Sequence, residues 1–241
     1  MEPTYFAIAF LAGLIPALFW LWFWLREDVR KPEPYFLIAI TFIAGMAVVP
    51  MALPMQKLAL ELYAGMNITL GENGLMLVWV LIEEILKYAV ALIVIFWNRE
   101  VDEPIDMVIY MIVIALGFAA LENALFIFNP LMAGDYINSA LTGSFRFLGA
   151  TLLHVLASGT VGVILALAYY KSRLVQLLAG TVGLFIAIVL HALFNFFIMG
   201  ASEETILGVF LFVWMGIIIL FLLFEKIKMI ERAHQRKLAH T

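Results

Sequence analysis

Seven apolar stretches run along the chain, at residues 5–25, 35–53, 75–97, 105–128, 145–170, 174–198 and 205–224. Each is long enough to cross a bilayer as a helix, which takes about 20 apolar residues at a rise of 1.5 Å each. Helices satisfy all their backbone hydrogen bonds internally, so hydrocarbon tolerates them where it excludes irregular chain. The composition agrees, with 65% of residues hydrophobic and 13% charged, against about 45–50% and 25% in soluble domains. The expected fold is an all-α integral membrane protein with seven transmembrane helices, forming one polytopic domain over 1–241. Pro50 and Pro54 bracket the expected end of the second span. The first stretch lacks a basic leading segment and exceeds a signal-peptide core, so it reads as a retained anchor. Cysteine is absent, which excludes disulfides and thiolate chemistry.

Lysine and arginine set the orientation of such a chain. With the N-terminus outside and the spans alternating, Arg26, Arg30, Lys31, Arg99, Lys171, Arg173, Lys226, Lys228, Arg232, Arg236 and Lys237 gather on the cytoplasmic side, and only Lys57 lies outside. The N-terminus is expected outside and the C-terminus in the cytoplasm, in a multi-pass protein of the cell membrane. The longest connection, 54–74, is expected to hold a short interfacial helix and a turn at "ENG" (72–74). "NIT" at 67–69 matches a glycosylation tripeptide of a kind common by chance. The basic tail is expected to extend the last helix towards anionic headgroups. Trp20, Trp22, Trp24 and Trp97 suit an aromatic belt, and Asp106 suits the first turn of its helix. Gly117, Gly159, Gly162, Gly180 and Gly183 suit close helix approach.

The informative residues are the polar ones inside the spans. A charged carboxylate at mid-bilayer costs roughly 2.5–3.5 kcal/mol on insertion scales. Yet "LIEEILK" (81–87) holds Glu83, Glu84 and Lys87 within five residues. "GFAALENALF" adds Glu122 and Asn123, "SFRFLGATLLHVLASG" adds Arg146 and His154, and "IVLHALFNFF" adds His191 and Asn195. Counted from the helix ends, Glu83, Glu122, His154 and His191 all fall about 9–14 Å below the outer boundary. Four successive helices delivering two kinds of acid–base group to one level predicts one site. Lys87 lies within a turn of both glutamates, and His191 and Asn195 share a helix face. Adjacent glutamates point about 100° apart on a helix, so one is expected to face the site and the other an ion-pair partner such as Lys87 or Arg146.

Glutamate with histidine is an acid–base set, and no covalent nucleophile accompanies it: Ser158 lacks a serine-hydrolase context. Activated water, with a histidine and an asparagine donating to an oxyanion, suits amide hydrolysis in a membrane-embedded cavity. Two other readings use the same groups. Two glutamates and two histidines make a plausible zinc or iron shell, although Lys87 and Arg146 argue against a dication and no HExxH occurs. A proton-coupled transporter or channel would use the cluster as a relay, but the paired broken spans typical of transporters are not evident.

Four motifs fall in order on successive helices: "EEILK" (83–87), "FAALEN" (118–123), the mid-helix His154 and "HALFN" (191–195). This pattern resembles the PrsW-type intramembrane proteases, relatives of the CAAX prenyl endopeptidase and Abi/CPBP proteins. The resemblance covers about residues 80–198, with a catalytic core of about 75–198. It implies a glutamate-dependent endopeptidase that cuts a single-pass, anti-sigma-factor-like substrate on its outer side; the protein is expected to be prokaryotic, and no cofactor or metal is expected. A transmembrane protein or peptide is then the partner, within the lipid bilayer, and no nucleic acid is expected. Carried over, Glu83 is the base, Glu122 and His154 position water, and His191 with Asn195 forms the oxyanion site. Glu84, Lys87, Asn123 and Arg146 would support them. The CAAX branch has histidine where this chain has Glu122, which leaves the roles of Glu122 and His154 less defined.

Overall fold

A computed structural model describes residues 2–27, 31–65, 71–97, 100–200 and 203–238. Its helices are α1 (Glu2–Leu25), α2 (Tyr35–Gly65), α3 (Gly71–Trp97), α4 (Pro104–Met132), α5 (Tyr136–Phe145), α6 (Thr151–Leu167), α7 (Arg173–Met199) and α8 (Glu203–Leu238). A single π-helical turn, Arg146–Ala150, joins α5 to α6. Arg30, Arg99, the tripeptide at 67–69 and the side chains of Trp97 and Lys237 lie outside the described residues.

Each of the seven expected spans is helical. Among the described residues, six helical segments are long and apolar enough to cross a membrane, with α5 to α6 counted as one. The seventh, α3, has 27 residues but carries Glu83, Glu84 and Lys87 near its centre. Helix α4 is the axis of the bundle: it packs against α1, α2 and α6 along its length, and 89% of its apolar window is buried. Helix α6 is its neighbour in the core, with α7 and α8 laid on α6 and with α3 between α2 and α7.

Small residues let these backbones approach closely. A Cβ on Gly117 of α4 would overlap Phe42 O of α2, and one on Gly45 of α2 would overlap Ile114 O of α4. The two helices thus meet through reciprocal glycines, a close-packing device that suits a bundle with no hydrophobic drive between its helices. Asp106 closes the start of α4, accepting from the backbone N–H of Asp102 at 2.9 Å and of Glu103 at 2.7 Å. At the other end, Gly134 takes a left-handed φ of 77° that a side chain would disfavour, and Asp135 then caps α5 by accepting from Asn138 N at 3.1 Å.

Three expectations need correction. Helix α2 does not stop near Pro54 but continues to Gly65, so the short helix expected after Pro54 is continuous with the span; a membrane helix tolerates proline in this way. The supposed turn at 72–74 lies in the first turn of α3. Trp20 and Trp24 are not belt residues: both are buried, with Trp20 against Phe147 and Trp214 and Trp24 stacked on Phe221 at 4.5 Å. Their i, i+4 spacing puts them on the face of α1 that meets α8. Trp22, the third of these on α1, is exposed, with Arg26 over its ring. The last helix does carry the basic tail, running unbroken to Leu238.

Candidate functional site

Four helices bring their ionisable side chains to one place in the bundle. Glu84 on α3 accepts from the Lys87 ammonium one turn away, and both are buried. The same Glu84 Oε1 is 2.7 Å from His191 Nδ1 on α7. Lys87 Nζ also lies 3.2 Å from His154 Nδ1 on α6 and 4.6 Å from the centre of the Phe118 ring. His154 reaches with Nε2 to Glu122 Oε2 on α4, at 3.0 Å. The two imidazole rings stand edge to face, 4.9 Å apart.

The second cation belongs to Glu122. Arg146 donates through its Nη2 to Glu122 Oε2 and through Nε to Asn123 Oδ1. Asn123 Nδ2 in turn donates to Thr151 Oγ1 at 2.9 Å. Arg146 and His154 sit about two turns apart yet share one oxygen of Glu122. The π turn between them, closed by Thr151 N–H bonding Arg146 O, takes an extra residue into the helix at that point.

With Lys87 charged and the glutamates ionised, these contacts assign the proton positions. An ammonium can only donate, so His154 Nδ1 accepts from Lys87, and Nε2 carries the proton that bonds Glu122. Glu84 can only accept, so His191 carries a proton on Nδ1, and its Nε2 is turned away from Glu84. That Nε2 is 3.8 Å from Glu83 Oε2. Glu83 itself has no lysine or arginine partner within 4.0 Å among the described residues. Its other oxygen accepts from Gln56 Nε2 on α2 at 2.9 Å. Of the three carboxylates, two are matched by a cation and one is not. The expected division of labour between the adjacent glutamates therefore has a structural form: Glu84 takes Lys87, while Arg146 goes to Glu122.

Two cavities flank Glu122. One, of about 180 Å³, is lined by Glu122, Arg146, His154, His191 and Asn195, with Phe126, Phe145, Phe194 and Phe210 as apolar walls. The other, of about 400 Å³, lies between α2, α3 and α4 and holds Gln56, Lys57, Glu83, Glu122 and Asn129. Glu83 opens to the second cavity, and the histidines and Asn195 to the first. All nine residues singled out from the sequence lie in this cluster or line its cavities. Gln56 was missed because it follows the prolines read as the end of a span.

The donor atoms decide whether a metal suits the site. Atoms of Glu84, His154 and His191 lie within 4.8 Å of one another. However, the Lys87 ammonium already bonds Glu84 and His154 Nδ1, and His154 Nε2 carries the proton given to Glu122. His154 thus has no lone pair to offer, and a dication in that cage would sit against an ammonium. With its protons so placed, the cage of Glu84, His154 and His191 does not fit a resident metal ion.

Residues 33–223, most of the chain, match the family described as PrsW family intramembrane metalloprotease. Similar proteins include Protease PrsW of Oceanobacillus iheyensis, 26% identical over 197 residues that cover 81% of this chain and 85% of the relative. Protease PrsW of Clostridioides difficile is 27% identical, covering 79% of each chain, and that of Bacillus subtilis is 23% identical over 80% of this chain and 83% of its own. No solved structure matches. The chain belongs to the PrsW family of intramembrane proteases and is a multi-pass membrane protein.

Proposed function

We propose that this member of the PrsW family hydrolyses a peptide bond of a membrane-anchored, single-pass substrate with water activated by Glu83. The observation that carries this reading is the unequal treatment of the carboxylates. Glu84 and Glu122 are each neutralised by a cation, while Glu83 faces a cavity beside the Gln56 amide and the His191 ring and, among the described residues, has no lysine or arginine within 4.0 Å. A water molecule about 2.8 Å from each partner fits between Glu83 Oε2 and His191 Nε2, which are 3.8 Å apart.

The steps follow from that placement. Glu83 takes a proton from water as the oxygen attacks the scissile carbonyl carbon. The carbonyl oxygen gains charge and is met by the Asn195 amide one turn along α7, and by His191 Nε2 when the ring carries a second proton. Glu84 holds His191 through Nδ1, fixing the ring as a carboxylate does in a catalytic triad. Glu122, held by Arg146 and His154, borders both cavities and orients the water and the peptide between them. When the C–N bond breaks, the proton held by Glu83 passes to the leaving amine.

The side of the cut follows from topology. With the N-terminus outside, the orientation that the basic residues favour, the cluster lies towards the outer leaflet and the cleavage near that face. The experiment is a comparison of membrane-protein fragments in cells carrying wild type or His191→Ala. A fragment pair from a single-pass protein, present with wild type and lost with the variant, supports the reading. Identical fragment patterns, with the variant folded and at wild-type level, overturn it.

A further inference from the structure

We propose that Gln56 is the positioning residue for the base: its amide holds one oxygen of Glu83 so that the other faces the water site. This rests on the reading of Glu83 as base and extends the site to α2, which carries none of the family's motif residues in this chain.

The geometry supports it from both sides of the carboxylate. Gln56 Nε2 donates to Glu83 Oε1 at 2.9 Å, and Oε2 is the oxygen nearest His191 Nε2. Glu83 is thus gripped from α2 and presented towards α7. A carboxylate can only accept, so the amide must turn its NH₂ to Glu83 and not its carbonyl. A lysine or arginine in that place would form an ion pair, as Lys87 does for Glu84 and Arg146 for Glu122. A neutral donor orients the carboxylate without cancelling the charge that must take a proton from water. Gln56 is partly buried and lines the cavity it shares with Lys57, Glu83 and Glu122, so the contact lies where water reaches the base.

Interhelical adhesion alone would also place a glutamine between helices, and kinetics separate the two roles. Gln56→Met keeps the length and packing of the side chain and removes the donor. The expected result is a fall of about 10- to 100-fold in kcat, the range for loss of one hydrogen bond to a charged group, with KM within about twofold and thermal stability retained. Gln56→Glu supplies a donor only while its carboxyl is protonated. Its rate relative to wild type is therefore expected to be lowest near pH 8 and to rise as the pH falls towards 5, whereas Gln56→Met keeps a constant ratio. Wild-type kcat in Gln56→Met, or a loss carried by KM alone, overturns the proposal, as does a flat ratio for Gln56→Glu. If Gln56→Met does not fold, the pH series of Gln56→Glu decides. Glu83→Gln is measured alongside. Wild-type cleavage by that variant removes the base assignment itself, whereas an inactive Glu83→Gln beside a fully active Gln56→Met removes only the positioning role.

Discussion

Glu84 and His191 stand 107 residues apart in sequence and meet at 2.7 Å, Oε1 to Nδ1, in the interior of the bundle. The contact ties α3 to α7 and makes one carboxylate serve two partners, since the same oxygen also accepts from Lys87. Stability and activity are therefore expected to separate at this position. Glu84→Gln leaves the Lys87 ammonium buried without its counter-charge, a loss of about 3–5 kcal/mol for a broken buried pair. The double variant Glu84→Gln with Lys87→Met removes both charges and is expected to recover most of the thermal stability in detergent. It is not expected to recover cleavage, because His191 has still lost its orienting carboxylate. Additive destabilisation in the double variant would show that the pair is not coupled.

Gly117 tests the axis of the fold. Any side chain there meets the backbone of α2 at Phe42, and backbone cannot move aside as a flexible side chain can. Gly117→Val is expected to cost more than the usual 1–3 kcal/mol of overpacking and to abolish recovery of monodisperse protein. Gly208, with nothing near its Cβ position, is the control, and Gly208→Ala should purify as wild type. Equal yields of the two variants would contradict the close α2–α4 packing.

Metal removal separates the two hydrolytic readings. Since Lys87 and the proton on Nε2 leave His154 no lone pair for a metal, cleavage is expected to continue in excess EDTA or 1,10-phenanthroline, and purified active protein should carry less than about a tenth of an equivalent of zinc or iron. Loss of activity in chelator, restored by one added metal, would contradict the arrangement described.

The orientation rests on charge alone and has its own test. Fusion of a reporter active only in the cytoplasm is expected to give signal after Leu238 and none when placed before the first helix. The reverse pattern would move the site to the inner leaflet and the cleavage with it.

The sequence made the site more legible than the fold around it. Charged side chains inside apolar stretches stand out because hydrocarbon admits them only with partners, and Glu83, Glu84, Lys87, Glu122, Arg146, His154 and His191 proved to be one another's partners. Their pairing was not legible, because Glu83 and Glu84 are both within a turn of Lys87 and spacing cannot say which one faces α7. Gln56 was hidden for a different reason. Proline ends a helix in water, but in a packed membrane bundle it need not, so α2 runs through Pro50 and Pro54 and carries Gln56 into the site. The burial of Trp20 and Trp24 was equally hidden, since a helix apolar all round does not reveal which face meets its neighbours. The π turn at Arg146–Ala150 leaves no mark in hydropathy at all.

The most direct test of the account is the cleavage rate of purified Glu83→Gln on a single-pass substrate, measured beside wild type and with thermal stability recorded for both. Gln at this position keeps the shape and a hydrogen-bonding group but cannot take a proton from water. The account predicts a folded protein whose kcat falls by at least about 10³-fold, within the range for loss of a general base. Cleavage by Glu83→Gln at the wild-type rate would contradict it.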